Sequence, residues 1–389
     1  MSMIYLDNNA TTRVLPQVAE AMRPWLYEYY GNPSSSHSLG QQAKQALIQA
    51  RADVASLLGA SPAEIVFTSG ATESNHMAIL SALASLPERR TIITSKVEHA
   101  STLQLLSQLS QQGITVVSIP VTESGELDMQ ALVSAINADT ALVTMMHANN
   151  ETGVIFPIAQ IAALAHAAGA LLHTDAAQTV GKLELNVKEL ACDMLSFSGH
   201  KLHAPKGVGV LYVKKGINPQ PLLYGQQERN RRGGTENLLG IIGLGAACRE
   251  AKASMAIVKA QVATLRDRLQ HGIMQQVRFA KVNGTATRVD NTCNLSFSGV
   301  LAEELLFKLD KRGVIASQGS ACVAGGTEPS HVLLAMGLSR EDALSCIRFS
   351  LSKETTEAEV DSTILSLVAI INEIKQHSAM QQDEVEVTA

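Results

Sequence analysis

No stretch of the chain approaches the roughly 18 unbroken apolar residues that a membrane-spanning helix requires, and a helical membrane protein is excluded on that ground. The opening residues, Met1-Ser2-Met3-Ile4-Tyr5-Leu6-Asp7, carry no cationic segment ahead of an apolar run. Without such a leader the protein is expected in the cytoplasm. Positive charge is not in excess either: the formal net charge of -5 offers no global field for phosphate backbones, so no direct nucleic-acid partner is expected. The five cysteines, Cys192, Cys248, Cys293, Cys322 and Cys346, include no C-x-x-C pair. An odd, scattered set argues against a disulfide framework, a dithiol couple and an intrinsic metal site. Four of them have apolar neighbours, as in Leu190-Ala191-Cys192-Asp193-Met194-Leu195, and such thiols behave as small buried hydrophobes. Only Cys322 has different surroundings. Internal repeats and low-complexity tracts are absent as well.

What is present is ordinary bulk for a compact fold: 389 residues, 46% hydrophobic and 17% charged, a length that points to two domains. Between about residues 15 and 260, helical stretches alternate with short apolar runs at Glu64–Phe67, Thr91–Thr94, Ile114–Val117, Ala141–Met146 and Ala170–His173. This rhythm predicts an α/β domain with a mostly parallel sheet sandwiched by helices, each strand ending in polar residues where a site would lie. From about residue 260 a long helical segment, a strand at Thr292–Phe297 and a final helix near 356–375 predict a smaller α+β domain. The expected division is 14–258 for the large domain, with 1–13 and 259–389 forming the small one. Residues 381–389, polar and acidic, are expected as a frayed, disordered tail.

Three motifs carry chemistry. Thr68-Ser69-Gly70-Ala71-Thr72-Glu73-Ser74-Asn75 follows a strand and opens a helix whose free backbone N–H groups suit a phosphate. His173-Thr174-Asp175-Ala176-Ala177-Gln178 ends a buried strand with an acid, a costly position without a cationic partner such as a protonated pyridine nitrogen. Met194-Leu195-Ser196-Phe197-Ser198-Gly199-His200-Lys201 ends another strand with an amine able to form a Schiff base. An acid for the ring nitrogen, a lysine for the aldehyde and a phosphate-binding helix start are together the parts of a pyridoxal 5'-phosphate site. Lys206, beyond Pro205 in a turn, is the rival lysine; Lys201 is preferred.

Across nearly its whole length the chain resembles the class V aminotransferase group of fold-type I pyridoxal-phosphate enzymes, and within it the NifS/IscS-like cysteine desulfurases. The resemblance rests on Tyr5-Leu6-Asp7-Asn8-Asn9-Ala10-Thr11-Thr12, Gly31-Asn32-Pro33-Ser34-Ser35, Val97-Glu98-His99 and Ala148-Asn149-Asn150-Glu151-Thr152-Gly153. Ser198-Gly199-His200-Lys201, Arg231-Arg232-Gly233-Gly234-Thr235-Glu236-Asn237, Gly319-Ser320-Ala321-Cys322 and Arg348-Phe349-Ser350-Leu351 complete it. It implies a seven-stranded sheet in the large domain. It also implies that His99 stacks on the pyridine ring and shuttles protons, Asp175 pairs with the ring nitrogen, Gln178 contacts the phenolic oxygen and Lys201 holds the aldehyde. Ala71, Thr72, Ser198 and His200 would hold the phosphate, joined by Thr235 of a second subunit, so a homodimer is implied. Asn150 and Arg348 would hold the substrate carboxylate. Taken singly, His99 reads equally as a core histidine, Asn149-Asn150 as a turn, Thr235 as a helix cap and Arg348 as a surface charge.

Ala316 to Pro329, rich in small residues, is expected to be a flexible loop that exposes Cys322. The resemblance makes Cys322 the nucleophile. L-cysteine would be converted to alanine, its sulfur passing to Cys322 as a persulfide and then to an acceptor such as an iron-sulfur scaffold, where Cys322 is at most a transient cluster ligand. A thiol of ordinary pKa, roughly 8.5, needs a nearby base or cation for this. Alternatives are a selenocysteine lyase, a class V transaminase or a non-enzymatic relay scaffold. The chain departs from the family at Tyr224-Gly225-Gln226-Gln227-Glu228, one residue shorter than usual, and at Gln318, Val323, Ala324, Gly326 and Thr327.

Overall fold

The computed structural model describes residues 3–319 and 328–388, with side chains as far as residue 376. In chain order the strands are β1 (Ile4–Tyr5), β2 (Ile65–Thr68), β3 (Thr91–Ser95), β4 (Thr115–Ile119), β5 (Thr140–Met146) and β6 (Leu171–Asp175). They continue with β7 (Met194–Ser198), β8 (Gly209–Val213), β9 (Ala280–Asn283), β10 (Thr292–Phe297), β11 (Val314–Ile315) and β12 (Cys346–Ser350). Seven of them form one sheet in the order β2-β8-β7-β6-β5-β3-β4. The pairs β3–β4, β3–β5, β5–β6 and β6–β7 are parallel, and β8 alone runs against both neighbours.

Successive side chains in a strand point to opposite faces. Ile65 and Phe67, Val143, Leu172 and Leu195 pack into one core, while Val66, Leu142 and Met194 pack into another on the opposite face. Burial on both faces is why these strands read as unbroken apolar runs. The fold is therefore the α/β arrangement expected of fold type I, a mostly parallel seven-stranded sheet between helices.

A three-stranded antiparallel sheet, β12-β10-β9, and the parallel pair β1–β11 build around a third core. Ile4 and Leu6 belong to that core, far in sequence from their neighbours Val314, Ile347 and Phe349. The helix Leu238–Gln276 links the layers: Met255 packs beneath the large sheet and Val262 onward in the third core. It passes residue 258 without a break.

The last helix, Glu357–Thr388, extends well beyond the expected 356–375. It takes in residues 381–388, which were expected as a frayed tail. Those residues contain neither proline nor glycine, so no strong helix breaker stops the helix earlier.

Parallel strands bring their carboxyl ends to one edge. There, in neighbouring positions, β3 is followed by Val97-Glu98-His99 and β5 by Ala148-Asn149-Asn150, while β6 ends in Asp175 and β7 leads into the turn Gly199–Lys201. The helix Ala71–Ser85 begins just after β2 at the same edge.

Candidate active site

These ends surround a cavity of about 350 Å³, closed on the far side by Asn9, Ala10, Gly319 and Arg348. It brings together Ala71, Thr72, His99, Asn150, Asp175, Gln178, Ser198, His200, Lys201 and Arg348. Thr235 is exposed and lies outside the cavity, and Lys206 is exposed and does not line it. Cys322 lies outside the described residues, three positions past Gly319, the last described residue before it and a residue of the cavity wall.

Asp175 closes β6 at 8% exposure. Its Oδ2 accepts from Asn75 Nδ2 at 2.7 Å and its Oδ1 from the Ala177 N–H at 2.9 Å. Among the described residues no lysine or arginine pairs with it. Asp175 thus lines the cavity as a buried carboxyl group held by two hydrogen bonds. Asn75 Oδ1 is itself buried without a partner.

His99 caps the helix Ala100–Gln111, its Nδ1 accepting from the Ser101 N–H at 3.2 Å. That bond leaves the proton of the neutral ring to Nε2. Burial lowers the His99 pKa; Asp175 opposes the shift, while Lys201 and His331 reinforce it. The preceding Glu98 is buried, with Oε1 accepting from Ser95 Oγ at 2.6 Å and from the Met146 N–H at 2.9 Å. Burial pushes its pKa up to about 8 in spite of those two bonds.

Lys201 Nζ donates to the carbonyls of Asn9 at 2.5 Å and Ala10 at 2.8 Å. Gln178 Nε2 donates to the same Asn9 carbonyl at 3.1 Å and its Oε1 accepts from Lys182 at 2.9 Å. At the other end of the cavity, the helix Ala71–Ser85 starts at Gly70 with no side-chain cap. The Ala71 N–H donates to Ser198 Oγ at 2.7 Å. His200, whose pKa burial and the neighbouring Lys201 and Lys206 bring down to about 4, stands beside them as a neutral hydrogen-bonding group.

Arg348, 2% exposed, is no surface charge. Its guanidinium pairs with Asp7 at 2.6 Å and donates to the carbonyls of Asn150 at 3.0 Å and Gly319 at 2.9 Å, while its buried Nε has no partner among the described residues. Glu151 accepts from Ser330 Oγ at 2.5 Å, and a Cβ at Gly319 would lie 2.5 Å from the same carboxylate. Glu151 and Arg348 thus grip both described ends of the segment that carries Cys322. The other four cysteines are all buried. Burial raises their thiol pKa values, to about 12 in Cys192 and Cys346 and about 11 in Cys293, and upward in Cys248 too.

Several contributors carry no clear sequence signal. Asn75 is visible only as a polar residue in the first turns of a helix, and Lys182 and His331 look like solvated side chains until the fold turns them inward.

The strand order and the position of the cavity at the carboxyl edge are those of fold type I. The aminotransferase class-V model matches residues 4–363, and the chain belongs to that family, among its NifS-like cysteine desulfurases. "Cysteine desulfurase 2" of Trichormus variabilis is 50% identical over 388 residues, covering 99% of this chain and 97% of that protein. A solved NifS-like protein is 37% identical with a TM-score of 0.89, covering 95% of this chain and 99% of its own. SspA, solved in complex with cysteine, is also 37% identical, with a TM-score of 0.81 and coverage of 91% and 100%.

Proposed function

We propose that the protein is a cysteine desulfurase that converts L-cysteine to L-alanine and receives the sulfur on Cys322. The family membership and the SspA–cysteine complex support the substrate. The observation that carries the choice of thiol is the contrast among cysteines: four are buried with raised pKa values, while Cys322 stands in the sequence three positions after Gly319, a residue of the cavity wall. The sulfur balance is closed without an external oxidant. The substrate Cβ–S bond breaks, an S–S bond forms at Cys322, and Cβ gains the proton that completes alanine.

The described residues fit pyridoxal 5'-phosphate. The unpaired Asp175 carboxylate suits a protonated ring nitrogen, and the uncapped helix start at Gly70 with Ser198 and His200 suits a phosphate. Bound there, the cofactor would supply an aldehyde for amines and a cationic ring to withdraw electrons from the substrate Cα. Lys201 supplies the resident amine, and its Nζ is then available to take and return the Cα proton. Gln178 presents an amide to the cofactor's ring oxygen. His99, which lines the cavity with Asp175, holds the proton of its neutral ring on Nε2. Arg348 and Asn150 hold the substrate carboxylate; because Asp7 already neutralises the guanidinium, the substrate shares that charge rather than meeting it bare.

Thr235, exposed and remote from its own cavity, reaches the phosphate of a second subunit, which makes the active form a homodimer. The persulfide passes to an acceptor protein of the iron-sulfur scaffold kind, and the enzyme works in the cytoplasm; no described helix is long and apolar enough to cross a membrane. Assaying alanine and sulfide from cysteine beside keto-acid amino transfer tests the reading. Alanine formed in step with sulfur supports it, and amino transfer without desulfuration overturns it.

A further inference from the structure

Lys182 has no place in the roles above. It stands four residues after Gln178, partly buried, and turns its ammonium group inward to donate to Gln178 Oε1 at 2.9 Å and to Asn9 Oδ1 at 3.0 Å. Among the described residues it makes no ion pair with a carboxylate. Burial brings its pKa down to about 7, and Lys201 and Arg348 add to the shift. An ammonium group kept in such surroundings is costly, so the contacts it makes there need a reason.

Asn9 supplies one. Its carbonyl accepts from both Lys201 Nζ and Gln178 Nε2, while its side chain is held by Lys182 on Oδ1 and by Thr292 Oγ1 on Nδ2. An ammonium group can only donate, whereas an amide has one accepting and one donating end. Lys182 therefore requires Gln178 to present Oε1 to it, and so turns the NH2 end of that amide toward Asn9 and the cavity. We propose that Lys182 is a positioning residue of the active site: it fixes the orientation of the Gln178 amide toward the cofactor's ring oxygen and holds Asn9 against Lys201. This rests on the reading of the cavity as a pyridoxal-phosphate site. The charged groups that face Lys182 are Lys201 and Arg348 across Asn9, His203 nearby, and Lys259, Asp290 and Lys353 around a second, smaller cavity behind it.

The test uses the cofactor-loaded enzyme and two variants, Lys182→Met and Lys182→Gln, with the pyridoxal-phosphate dissociation constant and the pH titration of its bound visible absorbance as readouts. Losing a charged donor to Gln178 weakens cofactor binding in Lys182→Met by about tenfold. Removing a positive charge raises the midpoint of a neighbouring cationic group, so the absorbance midpoint moves up by about half a pH unit or more. Lys182→Gln, which still offers an amide donor, recovers affinity but keeps the shifted midpoint; should Lys182→Met fail to fold, this variant decides alone. Affinity and midpoint equal to wild type in the folded variants overturn the proposal while leaving the site reading intact. A wild-type protein that takes up no cofactor with Lys201-dependent absorbance overturns both.

Discussion

Asp175 shows how a functional residue is held at the residue scale. Its carboxyl group is held by Asn75 on one oxygen and by the Ala177 N–H on the other. Removing Asn75 takes away a hydrogen bond to a charged group, an interaction worth about 1.5–3 kcal/mol. Asn75→Ala is therefore expected to lower kcat/KM by about tenfold or more and to move the visible absorbance of the bound cofactor, since the ring nitrogen's partner loses the bond that positions it. A kcat/KM and a spectrum equal to wild type would show that Asn75 only packs. Asp175 and Lys201 were legible in the sequence because each ends or follows an apolar run with a group that burial does not favour, whereas His99 was singled out only by the resemblance. Asn75 and Lys182 were not, because a polar side chain on a helix or in a connection reads as solvated until neighbouring elements cover it. Arg348 also misreads as a surface charge when taken singly; its place in the middle of β12, opposite Asn294, buries it.

At the scale of elements, the sheet was legible as apolar runs, and the strand beginning at Ala170 in the sequence reading starts in fact at Leu171 and ends at Asp175. The reversed direction of β8 was not legible, since a buried strand carries the same residues whichever way it runs. That reversal has a local consequence. β8 begins at Gly209, where a Cβ would come within 2.5 Å of Gly70 Cα at the start of the Ala71–Ser85 helix. The obstacle is backbone and cannot rotate away. Gly209→Ala is expected to cost about 1–3 kcal/mol of stability from overpacking and to displace the helix start, weakening pyridoxal-phosphate binding more than it changes kcat at saturating cofactor. Equal affinity in the variant would show that this helix start does not hold the phosphate. The same edge is braced by Glu228, which joins Arg51 at 2.5 Å and the Phe67 N–H at 3.0 Å beneath the left-handed residues Glu228, Arg229 and Asn230. In this way the shortened segment before Thr235 is tied to β2.

For the whole molecule, buried titratable groups set the pH range of stability. Burial holds His147 and His173 near 4 in the native state, against about 6.5 when unfolded. Their contribution is complete above about 6.5 and is lost as pH falls toward 4, because the unfolded chain takes up protons that the native state refuses. Glu98 acts in the opposite sense: with a native value of about 8 against 4.5 unfolded, its contribution is present below 4.5 and is lost as pH rises through 8. Lys182, held near 7 against 10.5 unfolded, adds stability as pH rises above 7 and offsets that loss, so the urea midpoint of unfolding is expected to rise from pH 4 to about 6.5 and to level off toward 8, and Glu98→Gln should turn the levelling into a continued rise. The same dependence on pH between 5 and 8 in Glu98→Gln as in the wild type would contradict the burial of Glu98 as a neutral acid.

The central claim concerns where the sulfur lands, and mass spectrometry of the enzyme after one turnover with L-cysteine tests it most directly. One additional sulfur on the peptide that bears Cys322, one alanine formed for each sulfur, and neither product from a Cys322→Ala variant that retains Lys201-dependent cofactor absorbance is the predicted result. Sulfur found on Cys192, Cys248, Cys293 or Cys346, or wild-type sulfur release by Cys322→Ala, would contradict it.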